Sequence, residues 1–390
     1  MSLRDAAIVG YAETKITVKG PHDGFALAGD VLDSLLRTTG FDKEEIDGMI
    51  VSPSISSAKN EFWAQTLAEY LGLQLNFCDK TELGGCSAVA SVTRAAAAID
   101  AGLCSTVLLL NSDTPTRQYQ YENYGFHEEW SDPYGEMGPP GAFGLLTTRY
   151  EHEYGLDYAA LGKLAVAQRK HAVLNENACE KLRKPITVED YLQSRVISEP
   201  VRLLDCVMPA DGANGLLITS RKVARAKQLD RFVVPVGYGE ITNLHGARSI
   251  CDVTDTGHRI AGERALRQAG LKPKDIGSFQ PYDDFIFAIL LQLEMLGFCA
   301  KGQGSAYVRE TNFDFDGDLP LNTGGGQISA GQVGLAGGGT NLVEAVRQLF
   351  GDGGPRQVKN TANTLVTGIG WISYSRNWGS SNVLILTPDA

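Results

Sequence analysis

Glu82-Leu83-Gly84-Gly85-Cys86-Ser87-Ala88-Val89-Ala90, running on to Ala101-Gly102, is the stretch from which the fold can be read. Residues 87–101 are the most alanine-rich part of the chain, with small side chains at every helical position, which predicts a helix buried on all sides. Gly102 supplies the stop, as a glycine just past a helix end does. Thr106-Val107-Leu108-Leu109-Leu110 then follows as a run of β-branched residues and leucines, the pattern of a central strand. A glycine pair, a buried helix and a buried strand in that order point to an α/β layer structure.

Outward from this stretch the alternation continues. Residues 6–10 read as a strand, 25–36 as a helix, 46–51 as a strand and 61–71 as a helix. From about 112 to 200 the character changes. Tyr119, Tyr121, Tyr124, Phe126, Trp130 and Tyr134 precede a Pro139-Pro140-Gly141 break, and helical spacing returns at 161–174 and 188–193. An irregular insert of this length reads either as a lid or binding loop or as a structural, dimer-contacting excursion. A strand at 215–219 closes the first half. A second α/β series begins at 232–238 and runs through a helix at 258–269, a strand at 276–282 and an apolar helix at 285–296. A glycine-rich stretch at 322–339, a helix at 342–350 and strands at 364–367 and 382–386 complete it. The order of elements looks duplicated, which divides the chain into 1–225, with the insert, and 226–390.

Composition narrows the function. The 390 residues carry a formal net charge of −11, and nothing in that balance provides the clustered cations of a nucleic-acid binder. No segment approaches the ~20 apolar residues of a membrane span, and the first ten residues carry no targeting pattern, so a cytoplasmic protein without membrane contact is expected. Seven cysteines (Cys78, Cys86, Cys104, Cys179, Cys206, Cys251 and Cys299) show no Cys-x-x-Cys pair, which argues for reduced thiols rather than a disulfide scaffold or a metal site. His127, His152 and His171 have no metal-like spacing and read as surface or lid residues. The excess of glycine, 44 residues, is concentrated at particular places.

Those places carry a resemblance. The Glu82 to Ala88 elbow, the segment Asp205-Cys206-Val207-Met208-Pro209-Ala210-Asp211-Gly212-Ala213, the motif Gln280-Pro281-Tyr282-Asp283-Asp284-Phe285 and the loop Pro320-Leu321-Asn322-Thr323-Gly324-Gly325-Gly326 occur in the order found in thiolases. The chain most resembles the sterol-carrier-protein-type thiolases, whose His-Asp-x-Phe and Asn-x-x-Gly-Gly motifs correspond to the last two. The resemblance implies the thiolase fold: an α/β protein of two similar βαβαβαββ halves in five layers (αβαβα) with an inserted loop region. It also implies a homodimer, coenzyme A as cosubstrate with no permanently bound cofactor, and in many members a small OB-fold partner subunit carrying a zinc finger.

The usual catalytic residues are replaced. Counting back from Gly102 places Gly85, not Cys86, at the nucleophile position. The activating histidine corresponds to Gln332, the second cysteine to Val366, and the Asn/His that holds an oxyanion-hole water to Tyr282. The last histidine is His258 and the only later cysteine is Cys299, so the C-terminal His/Cys pair is absent in any register.

Three readings follow. In the first, Cys86, at a helix start where the dipole lowers a thiol pKa, takes the acyl group in thiolysis of a bulky or aromatic 3-oxoacyl-CoA, with Tyr282 and Gln332 as proton and oxyanion partners. In the second, Tyr282 acts without a cysteine in retro-aldol cleavage of a 3-hydroxyacyl-CoA, as in the thiolase-fold aldolases of steroid side-chain degradation that the chain also resembles. In the third, the chain is a silent acyl-CoA-binding scaffold. Backbone N–H groups around Gly85, Gly326 and Gly368 are the expected oxyanion donors, and Asn322, Tyr124 and Phe126 the substrate-loop candidates. The bland readings also stand: Cys86 as a small elbow residue, Tyr282 as an interior aromatic, Gln332 as a loop-stabilising amide.

Overall fold

The computed structural model describes residues 3–117, 133, 135, 138–244, 252–360, 362–372 and 377–389. The strands are β1 (Ala6–Glu13), β2 (Gly48–Val51), β3 (Phe77–Lys80), β4 (Thr106–Asp113), β5 (Val196–Ser198), β6 (Val201–Arg202), β7 (Gly212–Ser220), β8 (Val233–Thr242), β9 (Ser278–Gln280), β10 (Thr364–Ile372) and β11 (Trp378–Pro388). The helices are α1 (Gly24–Thr39), α2 (Trp63–Leu71), α3 (Ser87–Asp100), α4 (Pro139–Tyr154), α5 (Tyr158–Val173), α6 (Val188–Leu192), α7 (Arg221–Ala226), α8 (His258–Ala269), α9 (Ile286–Met295), α10 (Gly304–Glu310), α11 (Gly326–Ala330) and α12 (Gly337–Phe350). β5 and β6 form a separate hairpin, and the other nine strands form one mixed sheet in the order β3-β2-β4-β7-β1-β8-β11-β10-β9.

That order contains the duplication. In the first half the strands run third, second, fourth, fifth, first. In the second half β9, β10, β11 and β8 repeat the second, fourth, fifth and first places, and a bridge between Phe279 and Leu321 stands where the third strand would lie. The two first strands meet at the single pairing Ile8 with Val233, so the halves are joined edge to edge and the sheet is continuous.

Alternation along the strands shows the layers. Ile8, Ile50, Val107, Leu109, Leu216, Ile218, Val366, Leu384 and Leu386 pack with α3 and α12 into one core. Their neighbours Ala7, Met49, Leu108, Leu110, Leu217, Leu365 and Ile385 belong to a second core with the outer helices. Period-two side chains thus bury both faces, which is why β4 is buried at every position and its Val107–Leu110 stretch is wholly apolar. With α1 on the β1–β4–β7 side and α8 on β8 and β11, the section is helix, sheet, helix pair, sheet, helix. Each fully buried Leu, Ile or Val of the central layer contributes roughly 1.5–3 kcal/mol.

Local chemistry sets the element ends. Asp23 caps α1 by accepting from the Ala26 N–H at 2.9 Å, Leu27, Val31, Leu32 and Leu35 form its buried stripe, and Gly40 closes it at φ 69°. Two sequence expectations change. The Pro139-Pro140-Gly141 stretch opens α4 instead of breaking the chain, because proline at the first helical turns lacks only an N–H that has no intrahelical partner there. The helix expected at 342–350 begins at Gly337, where three glycines of poor helix propensity are held by packing: a Cβ on Gly338 would lie 2.5 Å from the Gly85 carbonyl oxygen. No helix among the described residues is long and apolar enough to cross a membrane.

Candidate active site

The elbow is a 3-10 turn, Gly84–Cys86, that runs into α3. Ser87 fixes it: its Oγ donates to the Gly84 carbonyl at 2.6 Å and accepts from the Leu83 N–H at 3.0 Å. The middle of β10 lies across this turn, where a Cβ on Gly368 would meet Cys86 Cα at 2.7 Å and the Gly85 oxygen at 3.0 Å. Only a strand without side chains at this crossing approaches so closely. The Gly368 carbonyl accepts from His258 Nε2 at 3.0 Å, and burial holds that imidazole down at about 3, so it is neutral with its proton on Nε2.

Tyr282 enters from the other side. Its N–H donates to Thr367 Oγ1 at 2.9 Å and its carbonyl accepts from Gln292 Nε2 at 2.8 Å, so β10 and α9 clamp its backbone. The ring reaches the elbow: a Cβ on Gly85 would stand 2.2 Å from Tyr282 Cζ and 2.3 Å from Cε2. Burial pushes the phenol well above its ordinary range, and the charges of Asp284 and a Cys86 thiolate add to the rise. The Gln332 side chain hydrogen-bonds the phenol and works against it. Gln332 is itself held by backbone pairing, its N–H donating to Met208 O at 2.9 Å and its carbonyl accepting from Ala210 N at 2.8 Å. Tyr282, Gln332, Gly85, Cys86 and Gly368 are therefore brought together, although 5% of the Tyr282 surface is all the exposure it keeps.

Cys86 is wholly buried. Its thiol is pushed well up by that burial and by the Glu240 charge, with the Asn382 backbone N–H and Arg94 acting in the opposite direction. The helix-start lowering expected from the sequence is thus outweighed by desolvation.

The 322–339 stretch lies deeper than expected. Asn322 is wholly buried, with φ 44°; its carbonyl accepts from His171 Nδ1 at 3.2 Å and its Nδ2 donates to Gln168 Oε1 at 2.8 Å. It supports the loop from within instead of facing an open substrate site. A Cβ on Gly326 would fall 2.1 Å from Asp283 Oδ2, so that glycine packs on a buried carboxylate. Asp283 accepts from the Gln327 and Ile328 N–H groups at 2.9 and 3.2 Å and from Asn341 Nδ2 at 3.1 Å, and burial still raises it to about 7. Glu344 ties the same loop to α12: it accepts from Thr323 Oγ1 at 2.7 Å and pairs with Arg347 and Arg356 at 2.6 Å.

His171, read from sequence as a surface or lid residue, is wholly buried beneath Asn322 and faces Asp314 at 3.5 Å, whereas His152 is exposed as expected. Tyr124, Phe126 and His127 lie outside the described residues. The sequence reading gave no role to His171, His258, Asp283 or Glu344. An acidic residue inside an apolar run, as at Glu344 in Leu342-Val343-Glu344-Ala345-Val346, was the available signal. An open cleft beside Glu13, Lys15, Asp30, Asp33 and Arg37 carries mostly charged side chains and no cysteine or histidine, so the elbow is the candidate site. Among the described residues no group of three or more His, Cys, Asp or Glu side chains is arranged to hold a metal ion.

Fold and elbow together define a thiolase-type enzyme. Residues 239–385 match the family described as thiolase C-terminal domain-like. The chain is 30% identical to the steroid side-chain-cleaving aldolase of Thermomonospora curvata, over 93% of this chain and 95% of that one. It is 31% identical to the 17-hydroxy-3-oxo-4-pregnene-20-carboxyl-CoA lyase of Mycobacterium tuberculosis, over 89% and 92%. The solved Ltp2-ChsH2(DUF35) aldolase superposes with a TM-score of 0.86 at 28% identity, covering 98% of each chain. Acetyl-CoA acetyltransferases of methanogenic archaea are similar at lower identity. The chain belongs to the thiolase family, close to the steroid side-chain aldolases and the SCP2-thiolase-like proteins.

Proposed function

We propose that this protein cleaves a carbon–carbon bond by a retro-aldol reaction, splitting a 3-hydroxyacyl-CoA into a carbonyl compound and a shorter acyl-CoA, with no acyl-enzyme. The observation that carries the proposal is the position of the Tyr282 ring, 2.2 Å from where a Cβ of residue 85 would be. A side chain at residue 85 has no room, and the phenol ring of Tyr282 stands there instead. Tyr282 accepts the 3-hydroxyl proton. The Gln332 amide, with backbone N–H groups near Gly85 and Gly368, stabilises the developing charge on the thioester oxygen. The relatives named for steroid side chains support a bulky polycyclic acyl group. The likeness to the Ltp2-ChsH2(DUF35) aldolase supports a DUF35-type partner, in keeping with the small zinc-finger OB-fold subunit expected from the sequence; a homodimer and a cytoplasmic location remain part of the proposal on the sequence reading alone. The division at 225/226 is part of the same reading.

The test is cleavage of 17-hydroxy-3-oxo-4-pregnene-20-carboxyl-CoA by the full chain, with and without a DUF35-type subunit. Product formation without free coenzyme A, abolished in Tyr282→Phe, is the expected result. An absolute need for coenzyme A, together with acyl labelling of Cys86, would instead establish thiolysis. That second reading is favoured by the place of Cys86 in the same turn and by the similarity to acetyl-CoA acetyltransferases.

A further inference from the structure

Gln327 is wholly buried, and neither its Nε2 nor its Oε1 meets a hydrogen-bond partner among the described residues. Its backbone is fully used, the N–H donating to Asp283 Oδ1 at 2.9 Å and the carbonyl accepting from Gly331 N at 3.0 Å. A side-chain amide taken out of water with both ends unanswered destabilises the fold that contains it. Such a group calls for an explanation, and a ligand that answers it is one.

The amide is aimed at the first turn of α12. An ideal Cβ on Gly337 would lie 2.1 Å from Gln327 Oε1 and 3.3 Å from Gln332 Cγ. On Gly338, the next residue, it would lie 2.5 Å from the Gly85 carbonyl oxygen and 3.6 Å from Tyr282 Cε2. Two glycines therefore gather Gln327, Gln332, Tyr282 and Gly85 at one corner, and Gln332 is the member that keeps partial exposure. α12 has 14 residues, and its N-cap, Ala336, makes no side-chain capping bond. The Gly337 N–H is answered by the Gly334 carbonyl. Behind it, the remaining first-turn N–H groups and the helix dipole favour an acceptor oxygen.

The chemistry of the corner selects the ligand. Gln327, Gln332, Gly337 and Gly338 are uncharged, and the ionisable group held by the Gln327 N–H is an acid, Asp283. A phosphate or carboxylate is disfavoured beside it. A carbonyl oxygen, neutral at rest and negative only as the reaction proceeds, fits. The oxygen of the Gln327 amide also needs a donor. The thioester end of an acyl-CoA supplies both groups: the carbonyl oxygen, and the pantetheine amide N–H two carbons from the sulfur.

We propose that Gln327 and the first turn of α12 form the subsite for the thioester end of the acyl-CoA, Nε2 donating to the carbonyl oxygen and Oε1 accepting from the pantetheine amide. This rests on the reading of the elbow as an acyl-CoA site, and it adds a second side-chain amide to Gln332 on the same oxygen.

The test uses the full chain with propionyl-CoA carrying 13C at the thioester carbon, beside cleavage of the pregnene-carboxyl-CoA probe. Gln327→Leu and Gln327→Met remove the amide at similar volume. Wild type should bind the labelled thioester with its carbonyl stretch below that of the free compound, and both variants should lose most of that shift. Their kcat/KM on the probe should fall about 100-fold. Both should melt at or above the wild-type temperature, because an unmet buried amide has been removed. No shift in wild type, an unaltered shift in the variants, or a melting temperature well below wild type, the mark of a packing role, overturns the subsite while probe cleavage still stands. If wild type neither binds propionyl-CoA nor cleaves the probe, the acyl-CoA reading of the elbow falls, and the subsite with it.

Discussion

The phenol of Tyr282 and the missing side chain of Gly85 occupy the same space, with Cζ 2.2 Å from an ideal Cβ on the glycine. A side chain at 85 and a tyrosine at 282 therefore exclude each other, so two positions distant in the sequence are coupled in the structure.

That exclusion is measurable. Gly85→Ala should destabilise the fold by about 1–3 kcal/mol, the usual range for forcing an extra carbon into a packed site. Tyr282→Ala makes room, so the double variant should be more stable than the sum of the single effects allows. Chemical denaturation of the four proteins gives the coupling, and simple additivity would show that the two residues do not meet.

Cys86 should behave as an unreactive thiol. It is wholly buried and pushed well above the ordinary thiol range, whereas Cys78, Cys206 and Cys299 keep partial exposure. Iodoacetamide at pH 8, read by peptide mass spectrometry, should modify those three before Cys86 and reach Cys86 only on unfolding. Cys86→Ala should retain probe cleavage. Rapid modification of Cys86 that tracks loss of activity would support thiolysis.

Much of this was legible in the sequence, for physical reasons that differ by element. The strand at 106–113 is buried throughout and the helix at 87–100 along most of its length, with Thr93, Arg94, Ala97 and Ile99 half-buried and Asp100 exposed, so composition betrays both. β3 was missed because Phe77-Cys78-Asp79-Lys80 is a four-residue edge strand with a polar half. The start of α12 was missed because three glycines argue against a helix unless the elbow they pack on is known. The burial of His171 and Asn322 had no sequence signal, since it arises from α5 packing over a loop some 150 residues away.

Glu344 is the keystone of the 322–339 loop. Burial pushes its carboxyl up, but the Arg356 and Arg347 guanidinium groups outweigh that and hold it at about 2. Glu344→Gln leaves the buried Arg356 without its counter-charge, while Arg347 keeps Glu13, and should cost about 3 kcal/mol. Because the folded pKa is depressed, the stabilisation is complete above about pH 4.5 and is lost as pH falls toward 2. Urea denaturation at pH 7 and pH 3 should therefore show a smaller gap between wild type and variant at pH 3, and an equal gap would contradict the ion network.

His258 gives the opposite titration to the two aspartates beside Tyr282. Its folded pKa is held down at about 3 by burial, against an ordinary 6.5. Between those values the unfolded chain binds a proton that the native chain does not, so stability present above pH 6.5 is lost as pH falls. Asp283 and Asp284, raised to about 7, hold protons in the native state that the unfolded chain releases, so their contribution grows as pH falls from 7 toward 4. The wild-type curve alone mixes these effects. Comparison with His258→Gln removes the aspartate contributions, because they are common to both proteins, and keeps an N–H donor for the Gly368 carbonyl. Relative to that variant, wild type should lose about 2 kcal/mol between pH 7 and pH 5, the linkage expected for one buried neutral imidazole. A gap independent of pH would mean that His258 protonates freely in the folded protein, and that the Gly368 peptide is not held by a neutral ring.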